Sequence, residues 1–355
     1  MNAGSLKFLV IRRDNIGDLV CTTPLIRALR QHFPDSKICA LVNSYNVGVL
    51  ENNPDIDEIY TYTKAKHRPA DQSLARIFWE RMKTFAYLRR ERFDYVILAG
   101  TPYLPRALKL ARLIKPRHIV GFTEPGKSGI QYIDMPVSYG EPPSLHEVED
   151  IFRLLTPLGI RGSPGALVLV PDEKRIEAAK MVLQKNGIHL DQSPLIGIHI
   201  SARKPSQRWP VKNFVELIRH LHEQHQAAFL LLWSPGGSHN PLHPGDDNKA
   251  QDILHTLEDM PLTAYPTHAL ADLIGALSLC SAVVCSDGGA MHLAAGLGKP
   301  ILCFFGKSDR IRWHPWGVPH VLLQPESLEA SDISVAEALD GFAQVMPAQS
   351  GPFPG

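Results

Sequence analysis

The 355-residue chain is 44% hydrophobic and 21% charged, with 37 Lys and Arg set against 36 Asp and Glu. That composition excludes a disordered, collagen-like or disulfide-stapled chain, and a formal charge of +1 argues against a general nucleic-acid binder. At roughly 150 residues per domain, the length predicts about two domains.

Short apolar runs alternate with amphipathic stretches from end to end, the pattern of an α/β protein with helices covering parallel sheets. Lys7–Ile11 reads as a strand. Leu19–Phe33 reads as a helix stopped by Pro34, and Lys37–Val42, Asp57–Tyr62 and Asp94–Ala99 read as further strands. A long helix is expected from about Ser73 to Arg90. Leu104–Ile114 (helix), His118–Phe122 (strand) and Leu145–Leu158 (helix) complete a first α/β unit. The turn-rich stretch Gly159–Gly165 marks the expected boundary, giving domains 1–165 and 166–355. Beyond it, a short strand (Leu167–Val170) and a bridging helix (Asp172–Asn186) lead into a second alternation. Its strands are Pro194–Ile200, Ala227–Trp233, Ala282–Cys285 and Pro300–Phe305; its helices are Val211–Gln224, Ala269–Cys280 and Ala290–Leu297. The fold class expected is therefore two Rossmann-like, doubly wound domains facing a cleft. Ligand-binding residues are sought in the loops that leave the strands.

Five cysteines (Cys21, Cys39, Cys280, Cys285, Cys303) lie in apolar runs without a CxxC pair and read as buried thiols in a reducing compartment. The apolar run Phe8–Ile11 is too short for a signal peptide or a membrane span, so a soluble, cytoplasmic protein is expected. Charge is unevenly placed. Between Lys64 and Arg117 stand fourteen Lys and Arg against four acids, a local +10 that points to an anionic partner for the N-terminal half.

Four strand-end loops carry chemistry. Between the first strand and helix, Arg12-Arg13-Asp14-Asn15-Ile16-Gly17-Asp18 occupies the place of a dinucleotide fingerprint, which is absent. Asp18 is read either as an acid at a helix N-terminus or as a general base. Ser286-Asp287-Gly288-Gly289-Ala290-Met291-His292 opens a helix with two glycines. It is either a plain turn or a diphosphate site built from free N–H groups, with Asp287 orienting the loop or meeting sugar hydroxyls. Ser201, Lys204 and Arg208, in Ser201–Pro210, are candidates to neutralise phosphates. Trp233, followed by a glycine loop and the acids Asp246 and Asp247, suits a base or ribose. No HExxH, GxSxG or Walker A motif occurs, and His239 and His243, four apart, flank prolines; no metal site is expected.

Several of these segments together resemble the ADP-heptose:lipopolysaccharide heptosyltransferases, glycosyltransferase family nine. They are Arg12-x-Asp-x-Ile-Gly-Asp18 with Thr23-Pro24-Leu25-Ile26, His146-Glu147-Val148 with Leu154-Leu155, Trp209-Pro210, Leu232-Trp233-Ser234, and Asp287-Gly-Gly-Ala-Met-His292 running on to Lys299-Pro300. The resemblance spans Lys7 to Gly317 in family order. It implies a GT-B fold and inverting transfer of a heptose from an ADP-linked donor to the inner core of lipid A-anchored oligosaccharide; with N–H groups and cations to meet the diphosphate, no metal is expected. Asp18 then matches the catalytic base, and Asp287, Gly288, Gly289 and His292 match the donor loop, together with Ala290 and Met291. Gln207 stands where the family usually carries a phosphate-binding lysine, leaving Arg208 or Lys204 as the cation. Arg12, Asn15 and Arg106 are the acceptor-side candidates. The basic half gains a partner in an anionic, lipid-linked acceptor, and peripheral contact with the inner face of the inner membrane is expected. A same-fold transferase using another nucleotide sugar, or a binding protein without turnover, are the alternatives.

Overall fold

In the computed structural model, which describes residues 5–62, 74–140, 144–237 and 245–346, Lys7–Ile11 forms β1. Two short helices follow, α1 (Ile16–Val20) and α2 (Thr23–His32), where the pattern predicts one helix over Leu19–Phe33. The break arises because Pro24 has no N–H for the Val20 carbonyl. Thr23 Oγ1 donates to that carbonyl instead, at 2.7 Å. Next come β2 (Lys37–Asn43), β3 (Glu58–Tyr62), α3 (Leu74–Arg90), β4 (Tyr95–Leu98), α4 (Pro105–Ile114) and β5 (His118–Thr123), all near their expected places. An edge strand, β6 (Met135–Ser138), is half-exposed and contains a proline, so its apolar signal is weak. The helix expected over Leu145–Leu158 is a short α5 (Glu147–Phe152) that tightens into 3₁₀ turns around Pro157.

The chain divides into two units, Met1–Val170 and Pro171–Gly355. Leu167–Val170 is no strand. Its side chains at Leu167, Val168 and Leu169 are buried, and the Val168 N–H donates to Thr23 Oγ1 at 2.9 Å, tying the stretch to the first unit.

In the second unit, α6 (Glu173–Lys185) starts at Asp172, whose carboxylate accepts from the Arg175 N–H. There follow β7 (Leu195–His199), α7 (Val211–His225), β8 (Ala228–Trp233), α8 (Asp247–Thr256), β9 (Leu262–Pro266), α9 (Leu270–Ser278), β10 (Ala282–Ser286), α10 (Gly289–Gly296), β11 (Ile301–Phe304), α11 (Arg310–Trp313), β12 (His320–Leu323) and α12 (Val335–Val345). The pattern misses α8, β9, α11, β12 and α12. For α12 a signal was present, since Ser334 and Glu337 form a capping box.

Both sheets are parallel and six-stranded, ordered β3-β2-β1-β4-β5-β6 and β12-β11-β10-β7-β8-β9. Each reverses direction once, between β1 and β4 in the first and between β7 and β10 in the second. At such a reversal neighbouring loops leave toward opposite faces, which opens a crevice at the carboxyl ends of the strands. One core packs Leu88 of α3 and Ala107 and Ala111 of α4 onto Leu9, Ile11, Val96 and Leu98. The other packs Phe214, Leu217 and Ile218 of α7 and Phe342 of α12 onto Ile196, Ile198 and Phe304. Trp209 plugs into this second core against Phe214 and Phe304, with its indole N–H on the Ile333 carbonyl at 2.9 Å.

His199 ends β7 buried, and its Nδ1 has no hydrogen-bond partner among the described residues. Burial, reinforced by the Lys249 charge, pushes its pKa down from 6.5 to about 4. Between those values the unfolded chain binds a proton that the native state refuses, so stability falls as pH falls through the window. The loss amounts to about 3 kcal/mol at the acid end. A His199→Leu variant should therefore lose less stability than wild type between pH 6.5 and 4.5 in urea melts; equal losses would refute the assignment.

Candidate active site

Arg12 leaves β1 with its guanidinium buried at the first strand reversal. Its Nη1 donates to the Ala99 carbonyl just past β4 at 2.7 Å, so one side chain bridges the two diverging loops. Its Nη2 is shared by two carboxylates, Asp18 Oδ1 and Glu147 Oε1, each at 2.8 Å. Its Nε lies 3.4 Å from Asp14 Oδ2. Burial works against the cation, but the charges of Glu147, Asp18 and Asp14 outweigh it and raise the Arg12 pKa above its ordinary value. Arg12 is a fixed positive charge.

Asp18 sits in the first turn of α1, and its Oδ2 accepts the Asn15 N–H at 2.8 Å. Its side chain is 13% exposed, whereas Glu147 is fully enclosed. Burial acts to raise the Asp18 pKa; the Arg12 charge and the Asn15 N–H overcome it and hold the carboxyl below the usual aspartate value. The group is thus ionised throughout the neutral range and reachable from solvent, as a proton acceptor must be. The loop carrying it is braced from the end of β2 and the turn beyond. Asn43 donates to the Arg13 and Asp14 carbonyls, Tyr45 to the Asp14 carbonyl at 2.6 Å, and Asn46 to those of Asp14 and Asn15.

The second reversal is bridged in the same manner. Gln207, in the loop after β7, donates to Asp287 Oδ2 just past β10. Ser308, beyond β11, donates to the same oxygen at 2.6 Å. Asp287 therefore orients the loop. Gly306 lets the loop after β11 come this close, because a Cβ there would stand 2.1 Å from the Ser206 carbonyl oxygen. Gly288 caps α10 at φ +156°, a value that side-chain-bearing residues rarely adopt, and supplies no capping side chain. The first N–H groups of a helix lack intrahelical acceptors, so the backbone of Gly289, Ala290 and Met291 is suited to an anion. The side chains of Ala290, Met291 and His292 are buried and belong to the packing; His292 meets Trp313 edge-on.

The remaining phosphate and nucleotide candidates fall nearby. Ser201 Oγ accepts the Ser234 N–H, joining the loops after β7 and β8. Lys204 is exposed, and Arg208, one-third exposed, donates to the Ala202 carbonyl and lies 3.7 Å from Asp246 Oδ1. Asp247 commits both oxygens to protein, one to the Trp233 indole at 2.8 Å and one to the Gly236 N–H at 2.9 Å. Asp246 keeps a buried Oδ2 without a hydrogen-bond partner among the described residues. Lys249, not foreseen from the sequence, donates to the Ile200 and Trp209 carbonyls at 3.0 and 2.8 Å and clamps both ends of the Ser201–Arg208 loop. Burial pulls its pKa down to about 8. With Arg208, Asp246 and Asp252 it lines an open hollow of about 370 Å³.

Arg106 is exposed on the first turn of α4 and takes no part in the Arg12 cluster. Glu147 and Thr101, whose hydroxyl donates to both Glu147 oxygens, were missed. Nothing in a lone Glu after a His announces a partner 135 residues away. Of the basic stretch, Lys64, Lys66, Arg68 and Asp71 lie outside the described residues, as do His239 and His243. Among the described residues no group of three or more His, Cys, Asp or Glu side chains is placed to hold a metal. No helix among them is long and apolar enough to cross a membrane. All five cysteines are buried.

Lipopolysaccharide heptosyltransferase 3 of Escherichia coli is 23% identical over 84% of this chain and 83% of its own. A glycosyltransferase family 9 structure from Veillonella parvula superposes with a TM-score of 0.80 at 20% identity, covering 97% of this chain and 98% of its own. The E. coli ADP-heptose lipopolysaccharide heptosyltransferase II gives 0.75 at 18%, covering 96% and 99%. At these identities the structures establish a shared fold, which is GT-B. The sequence profile described as glycosyltransferase family 9 (heptosyltransferase) matches residues 81–334. The chain is thus a glycosyltransferase and belongs to family 9, the heptosyltransferases.

Proposed function

We propose that this enzyme moves a heptose from ADP-heptose to the inner-core oligosaccharide of lipopolysaccharide, with inversion at the anomeric carbon. The observation that carries the reading is the ionised, solvent-reachable Asp18 held by Arg12 at a strand reversal. The names of the relatives supply the donor and acceptor class. Asp18 takes the proton of an acceptor hydroxyl as that oxygen bonds to the anomeric carbon. The bond from that carbon to the diphosphate breaks on the opposite side, and its electron pair leaves with ADP. An oxocarbenium-like transition state is expected by analogy with glycoside hydrolysis. The departing charge is met by the N–H groups at the start of α10 and by Arg208.

ADP release with ADP-heptose and truncated lipopolysaccharide acceptors tests this directly. In Asp18→Ala, kcat should fall about a thousandfold while the affinity for ADP is unchanged. A loss confined to KM would remove Asp18 from the base role, and release with a different sugar nucleotide would reassign the donor.

The acceptor is anionic and lipid-anchored, so the reading includes contact with the inner face of the inner membrane by a cytoplasmic protein. The outer face of α3 supports this: Trp79, Met82 and Tyr87 are exposed there, Lys83 lies 5.9 Å above the Trp79 ring, and Arg90 follows on the same side. Arg106, Lys109 and Arg112 are exposed on neighbouring α4. An apolar stripe flanked by cations suits an anionic lipid surface. Binding to phosphatidylglycerol-containing vesicles in a flotation assay should weaken steadily as salt rises; binding indifferent to salt would contradict an electrostatic contact.

A further inference from the structure

Two carboxylates meet one nitrogen in the first unit. Asp18 Oδ1 and Glu147 Oε1 each lie 2.8 Å from Arg12 Nη2, although they come from segments far apart in sequence. Glu147 is wholly enclosed. Burying a carboxylate is costly unless it is fully satisfied. Here it is met by Arg12, by the Thr101 hydroxyl on both oxygens at 3.2 and 2.9 Å, and by the first turn of α5. The charged and titratable groups around it are Arg12 and Asp14 from the loop after β1, Asp18 from α1, and His146, whose Nδ1 accepts the Val148 N–H. One cation therefore serves three acids.

This arrangement has a chemical consequence for Asp18. A carboxylate neutralised one-to-one by a buried guanidinium is a poor proton acceptor, because taking the proton forfeits the ion pair. A second carboxylate on the same nitrogen divides that attraction and adds its own repulsion. We propose that Glu147 is a positioning residue for the transfer reaction, holding Arg12 in place and sharing its charge so that Asp18 remains an effective proton acceptor. The inference rests on the reading of Asp18 as the base. Glu147 itself touches no substrate, being sealed from solvent.

Two measurements on the full-length protein test this. Asp18→Asn and Glu147→Gln, made singly, each leave Arg12 Nη2 one carboxylate, whereas the double variant leaves that nitrogen with none and the buried cation with Asp14 alone, 3.4 Å from Nε. The Tm loss of the double variant should exceed the sum of the single losses by about 5 °C or more. Additive losses overturn the sharing, whatever the turnover. In ADP release with ADP-heptose and acceptor, Glu147→Gln should lower kcat about tenfold with KM for the donor nearly constant. Glu147→Asp, which keeps the charge, should retain more of kcat. Wild-type kcat in Glu147→Gln, or equal losses in the two variants, overturns the proposal. A wild type without turnover would sink the transferase reading, while the melting cycle still decides whether the guanidinium is shared.

Discussion

The guanidinium of Arg12, a residue only 1% exposed, has to find its counter-charges inside the protein, and in this chain that requirement organises the first unit. Arg12 can be satisfied only if β1, the segment after β4, the start of α1 and the start of α5 arrive together. None of these segments is adjacent in sequence to all the others. Strand order makes the meeting possible: β1 and β4 are neighbours at the reversal, and Ala99 stands beside the loop that Arg12 begins. Helix breaks serve the same end. Pro24 ends α1 early, and Thr23 takes over the vacated Val20 carbonyl while accepting the Val168 N–H. The short helix carrying Asp18 is thereby anchored at its far end to the last segment of the unit.

The second unit solves the same topological problem with neutral and acidic groups. Gln207 and Asp287 join the loops at its reversal, and Ser308 and the close approach of Gly306 to Ser206 add the loop after β11. The anchoring contrasts with that of the first unit in one respect. Among the described residues no cation pairs with Asp287, and its carboxylate accepts from the side chains of Gln207 and Ser308. That leaves the cations of the Ser201–Arg208 loop uncommitted to it, and Lys249 holds that loop by its two ends rather than by its tip. A clamped loop with an exposed middle suits a surface that receives a charged ligand.

The chemistry favoured for Asp18 carries a tension. The ion pair with Arg12 keeps the carboxylate ionised and oriented, but it also lowers basicity. A base that is always charged has the correct protonation state and a small driving force for proton transfer. Under the proposed mechanism, sharing of the guanidinium with Glu147 relieves part of this, and the proposed oxocarbenium-like transition state asks for late, modest base assistance. Orientation is then worth more than proton affinity, and the bracing of the Arg13–Asn15 carbonyls by Asn43, Tyr45 and Asn46 supplies it.

Hydrophobic periodicity and strand-end glycines were enough to read two doubly wound units. The acid after Gly17 read as either a helix-start acid or a base until the motif set from Arg12–Asp18 to Asp287–Pro300 brought the family resemblance and with it the base assignment of Asp18. Each depends on local pattern, which sequence carries directly. Weak edge elements such as β6 and β12 escaped because half-exposed strands lack a strong apolar signal. The two helices in place of Leu19–Phe33 turn on one missing N–H at Pro24, a cue that was visible but outweighed by periodicity. What only the tertiary structure decided is who pairs with whom. Asp247 binds the Trp233 indole, Lys249 clamps carbonyls at both ends of a loop, Gln207 joins Asp287, and Glu147 meets Arg12 across 135 residues. Such partners are chosen by which strand ends the sheet order brings together, and that order is set by the packing of the whole unit rather than by any window of sequence.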